Sequence, residues 1–76
     1  MGKLGDMIKA RRLELSKTIQ EVAAEVGVQK TTVQRWESGA IKEMRISNMR
    51  ALSRVLYIDQ NKLVQLFIVE QMKGRG

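Results

Sequence analysis

Apolar residues recur along the chain at intervals of three and four positions, the spacing of helices that bury one face. In the first such segment, residues 4–15, one face carries Leu4, Met7, Ile8 and Leu15. The chain has no proline, and no strand pattern interrupts the helical spacing. The pattern therefore predicts a first helix over residues 4–15 and an all-α chain.

The second predicted helix has clear start and stop signals. Thr18, followed three residues later by Glu21, has the form of a capping box, in which each side chain accepts a hydrogen bond from the backbone N–H of the other residue. We therefore expect helix two to start near Ile19. It should stop at Gly27, where glycine permits a tight turn.

A third helix is predicted directly after this turn, over residues 30–38, with Val33 and Trp36 inward. It should end at Gly39, because glycine readily adopts the left-handed conformation that follows many helices. Two helices joined by so short a turn cross at a steep angle, and Ala23 is small enough to allow the close contact. The residues able to lead helix three are Gln29, Thr31 and Thr32.

Two further helices complete the pattern. After a loop at residues 40–46, Ser47 is the predicted N-cap of helix four, which ends near Tyr57 and has apolar residues at Ile46, Met49, Leu52, Val55 and Leu56. Asp59 is the predicted N-cap of helix five, one face of which carries Leu63, Leu66, Phe67 and Glu70. The opposite side of helix five is also apolar and has no obvious partner within the chain for Val64, Ile68, Val69 and Met72.

Five short helices with short connections predict a compact all-α bundle in which helices two and three form a helix-turn-helix. With 76 residues, the chain is expected to form a single domain over residues 1–76. We expect its core to span about residues 4–69 and a tail to span residues 70–76.

Composition excludes several classes of function. Neither cysteine nor histidine occurs, so disulfides, thiolate chemistry and the usual zinc and haem ligand sets are excluded. The eight acidic residues are scattered, and we therefore expect no enzyme, cofactor, metal or small-molecule ligand. Since the longest apolar run, residues 66–69, is far shorter than the roughly 20 residues of a membrane span, and no signal peptide is visible, we expect a soluble cytoplasmic protein without a membrane partner.

The charge of the chain points to nucleic acid. Fourteen Lys and Arg residues against eight Asp and Glu residues leave a net charge of +6, with a pI near 10.2. Two thirds of this excess lies between residues 30 and 54, in Lys30, Arg35, Lys42, Arg45, Arg50 and Arg54, opposed there only by Glu37 and Glu43. We expect this part of the chain to face the partner.

The run "TIQEVAAEVGVQKTTVQRWESG", preceded by "IKARRLEL", resembles the phage repressor and Cro-like helix-turn-helix family, also called the XRE family. The spacing Ala-x3-Gly-x5-Val, followed by Arg-Trp-Glu-x-Gly, carries the resemblance, which covers roughly residues 4–67. It implies a five-helix bundle of the lambda-repressor type, whose third helix enters the major groove of double-stranded DNA while the second crosses the phosphate backbone. It also implies a prokaryotic or phage-encoded, nucleoid-associated transcriptional regulator, in most cases a repressor that binds a palindromic operator as a dimer.

The resemblance assigns the base-reading positions to Lys30, Thr31 and Arg35, with Gln34 close enough to assist. Gln29 and Thr32 are assigned to capping or phosphate contact, and Lys42 and Arg45, in the loop before helix four, to phosphate contact. The family usually has a phosphate-binding glutamine at the start of helix two, where this chain has Ile19. We expect that contact to be lost or to pass to Lys17 or Gln20.

Three further structural expectations follow from the resemblance. Arg12 late in helix one should pair with Glu37 after the tryptophan, as a structural ion pair. Trp36 should pack in the core between helices three and four. Where the family has glycine after helix four, this chain has Tyr57, and we expect the helix to end by another route, since a left-handed backbone is costly there.

Two alternatives concern the assembly and the class of function. The apolar side of helix five (Val64, Ile68, Val69 and Met72) is a candidate homodimer interface, since an exposed apolar patch usually marks an interaction. The tail, or the remainder of a longer protein, could instead cover it.

The same scaffold could also serve as a protein-binding adaptor or antitoxin, but an adaptor has no reason to keep Lys30 and Arg35 on the outward face of helix three.

Overall fold

The computed structural model describes residues 2–39, 41 and 44–73. Within these ranges the chain forms five helices and no strand, which confirms the predicted all-α bundle. The helices are α1 (Lys3–Glu14), α2 (Ile19–Val26), α3 (Lys30–Ser38), α4 (Ile46–Leu56) and α5 (Gln60–Lys73). Helix α5 continues through Lys73, so the first four residues of the expected tail are helical.

The core contains side chains from all five helices. At its centre are fully buried aliphatic residues, each of which contributes roughly 1.5–3 kcal/mol when it leaves water: Leu4, Ile8, Val22, Val33, Leu52, Leu56 and Leu63. Trp36 joins this cluster with 4% of its surface exposed, as expected of a core tryptophan. The helical spacing of apolar residues in the sequence therefore predicted most of the core.

Helices α1 and α3 approach each other closely at Gly5. A Cβ atom at this position would lie 2.4 Å from the carbonyl oxygen of Trp36 and 3.0 Å from that of Glu37. Only a residue without a side chain fits against the backbone of α3 here. The sequence pattern did not identify this contact, because hydrophobic spacing shows which side chains are buried and not where two backbones meet.

The turn between α2 and α3 forms as predicted. Thr18 and Glu21 form the capping box: the Thr18 N–H donates to Glu21 Oε1 (2.8 Å) and the Glu21 N–H donates to Thr18 Oγ1 (3.0 Å). Gly27 has a φ of 90°, and the N–H groups of Gly27 and Val28 both donate to the carbonyl of Ala23, at 2.8 and 2.9 Å. Gly39 also has a φ of 90° and ends α3, as predicted.

Helix α4 differs from the prediction at both of its ends. Its N-cap is Arg45, whose extended backbone precedes the helix and whose carbonyl accepts the first helical hydrogen bonds, so Ser47 lies inside the helix instead of capping it. At the other end Tyr57 is left-handed (φ 55°, ψ 48°), so the prediction that the helix ends without a left-handed residue is wrong. The conformation places the next residue, Ile58, in the core, and the Ile58 N–H donates to the Ser53 carbonyl (3.1 Å).

The N-terminal ends of α5 and α1 are capped by carboxylates. Asp59 caps α5 as predicted, since its Oδ1 accepts from the Asn61 N–H at 3.1 Å. The start of α1 has no cap of its own, and Glu70 of α5 supplies one by accepting from the Leu4 N–H at 2.8 Å. The end of α5 is therefore fixed to the beginning of the chain.

We predict that Gly5→Ala destabilises the fold by about 1–3 kcal/mol, the usual cost of overpacking. Alanine favours helices over glycine, so without the contact to α3 the substitution should stabilise α1 instead. Urea unfolding of the variant, with the exposed Lys9→Ala on the same helix as control, measures the difference. A stability equal to or above that of the wild type would contradict the close contact.

A second prediction concerns the left-handed Tyr57, whose side chain is 73% exposed and buries little on folding. Tyr57→Gly should be more stable than Tyr57→Ala by roughly 1 kcal/mol, because both remove the ring but only glycine removes the backbone strain. Thermal unfolding of the two variants side by side isolates the backbone effect. Equal stabilities would show that the left-handed conformation carries no strain.

Candidate nucleic-acid interface

The two sides of α3 differ in chemistry. Val33 and Trp36 point into the core, whereas the opposite side consists of exposed polar and basic residues: Lys30, Thr31, Gln34 and Arg35. Within the described residues, none of these four side chains forms an ion pair or a hydrogen bond. The side chains assigned to base reading therefore share one free surface, the outward face of α3.

The beginning of α3 is an additional source of hydrogen-bond donors. Gln29 is the N-cap by position, but its side chain makes no capping hydrogen bond. The carbonyl of Gln29 accepts hydrogen bonds from the N–H groups of Thr32 and Val33. The backbone N–H groups of Lys30 and Thr31 have no backbone partner among the described residues. The positive end of the helix dipole and these free N–H groups favour an anion at this end.

A groove of about 340 Å³ separates α3 from the beginning of α4. Its lining consists of Thr32, Trp36, Met44, Arg45 and Asn48. Two of the assigned phosphate-contact residues, Thr32 and Arg45, thus lie at one groove, while Lys42 falls outside the described residues. Asn48 belongs to the same groove but was not identified from the sequence, since only the fold places the first turn of α4 next to α3.

The α2 side of the surface offers fewer donors. Lys17 Nζ lies 2.7 Å from Glu25 Oε1, and this hydrogen bond raises the pKa of Lys17. Ile19, at the position where the family has glutamine, is half-buried and packs against the core. The capping box occupies the first turn of α2 and lowers the pKa of Glu21, through hydrogen bonds from Thr18. Of the two residues assigned to phosphate contact here, only Gln20 is exposed and unpaired among the described residues.

Arg12 and Glu37 form a buried ion pair that fixes the position of α3. Arg12 Nε donates to Glu37 Oε2 at 2.7 Å and Arg12 Nη2 donates to Glu37 Oε1 at 3.0 Å, while Nη1 donates to the Lys17 carbonyl at 3.0 Å. The two side chains are only 10% and 7% exposed. The hydrogen bond with Glu37 raises the pKa of Arg12, although burial opposes the shift. The pair joins α1 to the last turn of α3 and to the chain before α2.

The residues assigned to a dimer interface lie on α5 but differ in exposure. Val64 is half-buried and packs against the core of its own chain. Ile68, Val69 and Met72 are 51%, 42% and 70% exposed. These three residues form the α5 apolar patch.

The described residues offer neither a metal site nor a membrane-spanning helix. No group of three or more acidic side chains there could hold a metal ion. No helix in this part of the chain is long and apolar enough to cross a membrane.

Helices α2 and α3, joined by a short turn with a left-handed glycine, define a helix-turn-helix protein. The sequence model of the helix-turn-helix family matches residues 8–59, more than half of the chain, and the chain therefore belongs to this family, of the XRE type. Members of the family are DNA-binding transcriptional regulators.

The structure is similar to that of SinR, the master regulator for biofilm formation, which was crystallised in complex with DNA. The TM-score is 0.72 and the sequence identity 26%, over 80% of this chain and 97% of the SinR chain. No curated protein sequence matches the chain significantly.

We predict that Arg12→Ala costs about 3–5 kcal/mol of unfolding free energy, because it leaves the buried Glu37 carboxylate without a partner. Replacing both residues by apolar ones, as in Arg12→Met with Glu37→Leu, should cost less than the two single changes together. Chemical unfolding of the single and double variants measures the coupling.

The Arg11 and Glu14 pair is the matched control. It lies on the surface of α1, with side chains 32% and 62% exposed and a separation of 3.2 Å. Glu14→Ala should cost less than about 1 kcal/mol. Equal costs for the buried and exposed pairs would contradict the structural function of Arg12 and Glu37.

Proposed function

We propose that this domain is a sequence-specific regulator of transcription that binds double-stranded DNA with α3 in the major groove, and that it acts as a repressor on a palindromic operator as a homodimer. The observation that carries the proposal is the outward face of α3. Its four polar and basic side chains are exposed and free of partners within the described chain, while Val33, Trp36 and the Arg12 to Glu37 pair hold the helix from behind.

The four side chains suit the edges of base pairs. Arg35 and Lys30 donate hydrogen bonds to O6 and N7 of guanine, and Gln34 bridges N6 and N7 of adenine. The methyl group of Thr31 contacts the methyl group of thymine. We infer that these residues select the sequence, because a duplex with the wrong bases would leave their donors unpaired.

Phosphate contacts would orient α3 without reading sequence. On the α4 side these come from Thr32 and Arg45 at the groove, and at the start of α3 from Gln29 and the free backbone N–H groups. On the α2 side Gln20 is available directly, whereas Lys17 must first exchange Glu25 for a phosphate. SinR supports the duplex as the partner, since a similar domain was crystallised with DNA.

A dimer follows from the limited reach of one reading helix. A single α3 covers only a few base pairs, and two copies on half-sites about one helical turn apart would double the contact. The α5 apolar patch (Ile68, Val69 and Met72) supplies the contact between the copies, with Val64 at its edge. Repression requires only that the bound dimer occupies the operator, which a domain of this size can do.

We predict that Arg35→Ala and Arg45→Ala weaken binding in different ways. Loss of Arg35 should relax the preference at one base position by about 1–3 kcal/mol, because a base contact is removed. Loss of Arg45 should weaken binding to all sequences similarly and reduce the salt slope by roughly 0.9, because a phosphate contact is removed. The measurement is selection of duplexes from a random pool, followed by titration of the selected and unrelated duplexes across a salt series.

Lys62→Ala, which removes an exposed charge from α5, is the control for net charge and should leave the selected sequence unchanged. A uniform loss across sequences for Arg35→Ala would exclude this residue from base reading. Weak binding of every duplex, with no selected sequence, would instead favour the adaptor or antitoxin function.

A further inference from the structure

The groove between α3 and α4 contains a polar group that the fold leaves without a partner. Trp36 lines this groove and is only 4% exposed. A tryptophan that is so deeply buried usually has a hydrogen-bond acceptor for its indole N–H. The Trp36 Nε1–H has none among the described residues, where no side-chain nitrogen or oxygen is both fully buried and unpaired. The indole N–H therefore reaches the surface, and the groove is the surface that the ring lines.

Asn48 is a second unpaired polar group in the same groove. It is half-buried in the first turn of α4, three residues after the N-cap, and its side chain makes no hydrogen bond within the described chain. Helices favour Glu or Gln at this position, because the longer side chain reaches back to the N-cap, and asparagine is a poor helix former. Asn48 therefore brings little benefit to α4, and its amide is available to a ligand.

The rest of the groove suits a small anion. None of its five lining residues is acidic. Arg45 is exposed and has no ion pair within the part of the chain that the structure describes, and Thr32 adds a hydroxyl group from α3. The groove volume of about 340 Å³ lies at the lower end of the range of about 300–1,000 Å³ for ligand sites. Hydrogen-bond donors from two helices, beside a guanidinium, favour a group of the size and charge of a phosphate.

The groove adjoins the outward face of α3. Arg35 follows Thr32 by three residues, and side chains at this spacing are neighbours on the surface of a helix. The rim of the groove therefore lies one side chain away from a residue assigned to base reading. A helix in the major groove, which is about 12 Å wide, has a phosphate backbone on each side.

We propose that the groove between α3 and α4 binds one phosphate of the duplex, with the Trp36 Nε1–H and the Asn48 amide as donors inside it and Arg45 beside them. The inference rests on the proposed function and deepens it, because it makes a core residue a direct ligand of the DNA backbone. The core holds the indole in place before binding, so this donor loses no side-chain freedom when the phosphate arrives. Free phosphate has the same chemistry, and the experiment separates the two sources.

The first test uses the unaltered protein. The chain contains one tryptophan, so the NMR spectrum of the isotope-labelled protein contains one indole N–H signal. The duplex selected by the wild type should shift this signal downfield and slow its exchange with solvent, because the N–H gains a charged acceptor. Sodium phosphate at millimolar concentration should cause neither change, since only a duplex is fixed by the other contacts of the domain.

The second test compares Asn48→Asp with the matched control Asn61→Asp. Each variant places a carboxylate in the first turn of a helix, where negative charge is favoured, so circular dichroism should show the wild-type helix content in both. Asn61 is exposed on α5 and does not line the groove. Titration with the selected duplex should show an affinity about 10–100-fold lower for Asn48→Asp than for Asn61→Asp, the range of one hydrogen bond to a charged group. The base preference should be unchanged, because phosphates carry no sequence information.

Four results would overturn the inference. The first two are an indole signal that the selected duplex leaves unchanged and equal affinities of the two variants. The third is an equal shift with free phosphate, which would make the groove a site for a free anion. The fourth is a changed base preference of Asn48→Asp, which would make Asn48 a reader of sequence. Failure of the proposed function has a separate readout, since the wild type then selects no duplex, whereas failure of the inference alone leaves that selection and its dependence on Arg35 intact.

Discussion

The orientation of the reading helix depends on how the end of α3 is held against α1. The guanidinium of Arg12 joins the Glu37 carboxylate and the Lys17 carbonyl, so one side chain connects α1, the chain before α2 and the last turn of α3. Gly5 permits this geometry, because any side chain there would meet the carbonyl of Trp36. Since buried groups fix the inner side of α3, all of its outer side chains face solvent. The helix therefore loses its positional freedom when the chain folds, and binding carries no further entropy cost for positioning it.

Some basic residues of this domain are paired with carboxylates, and others are not, including Lys3 and Lys9 on α1 and Lys62 on α5. Those of α1 and the following turn that approach a carboxylate are paired: Arg11 with Glu14, Arg12 with Glu37 and Lys17 with Glu25. Those of α3 and α4 have no carboxylate partner among the described residues: Lys30, Arg35, Arg45, Arg50 and Arg54. Unpaired like charges repel one another and lower stability. The exposed, unpaired Lys30 and Arg35 therefore give the outward face of α3 a chemistry suited to binding an anion, and this observation is independent of the family resemblance.

The sequence predicted the features that depend on local chemistry and, through the family resemblance, the Arg12 to Glu37 pair, but it missed other contacts between distant parts of the chain. Helical spacing, the Thr18 capping box and Gly27 specified the helices and the turn, because each acts within a few residues. The Glu70 carboxylate at the start of α1 joins residues 66 positions apart and has no local signature. Tyr57 adopts the left-handed conformation that its residue type disfavours, since the placement of Ile58 in the core outweighs a strain of about 1–2 kcal/mol.

The α2 side of this domain shows why the α4 side matters. At the first position of α2, where related domains use glutamine, Ile19 contributes to the core, and the neighbouring Lys17 is already bound to Glu25. Ile19 removes a donor that could hold a phosphate, the Glu25 pair occupies another, and contacts of this kind fix the orientation of a domain on DNA. The unpaired Arg45, the N-cap of α4, lies on the other side, at the groove between α3 and the beginning of α4. A domain with fewer phosphate contacts from α2 can keep its affinity when α4 supplies more, because the electrostatic contribution depends on the number of phosphates neutralised.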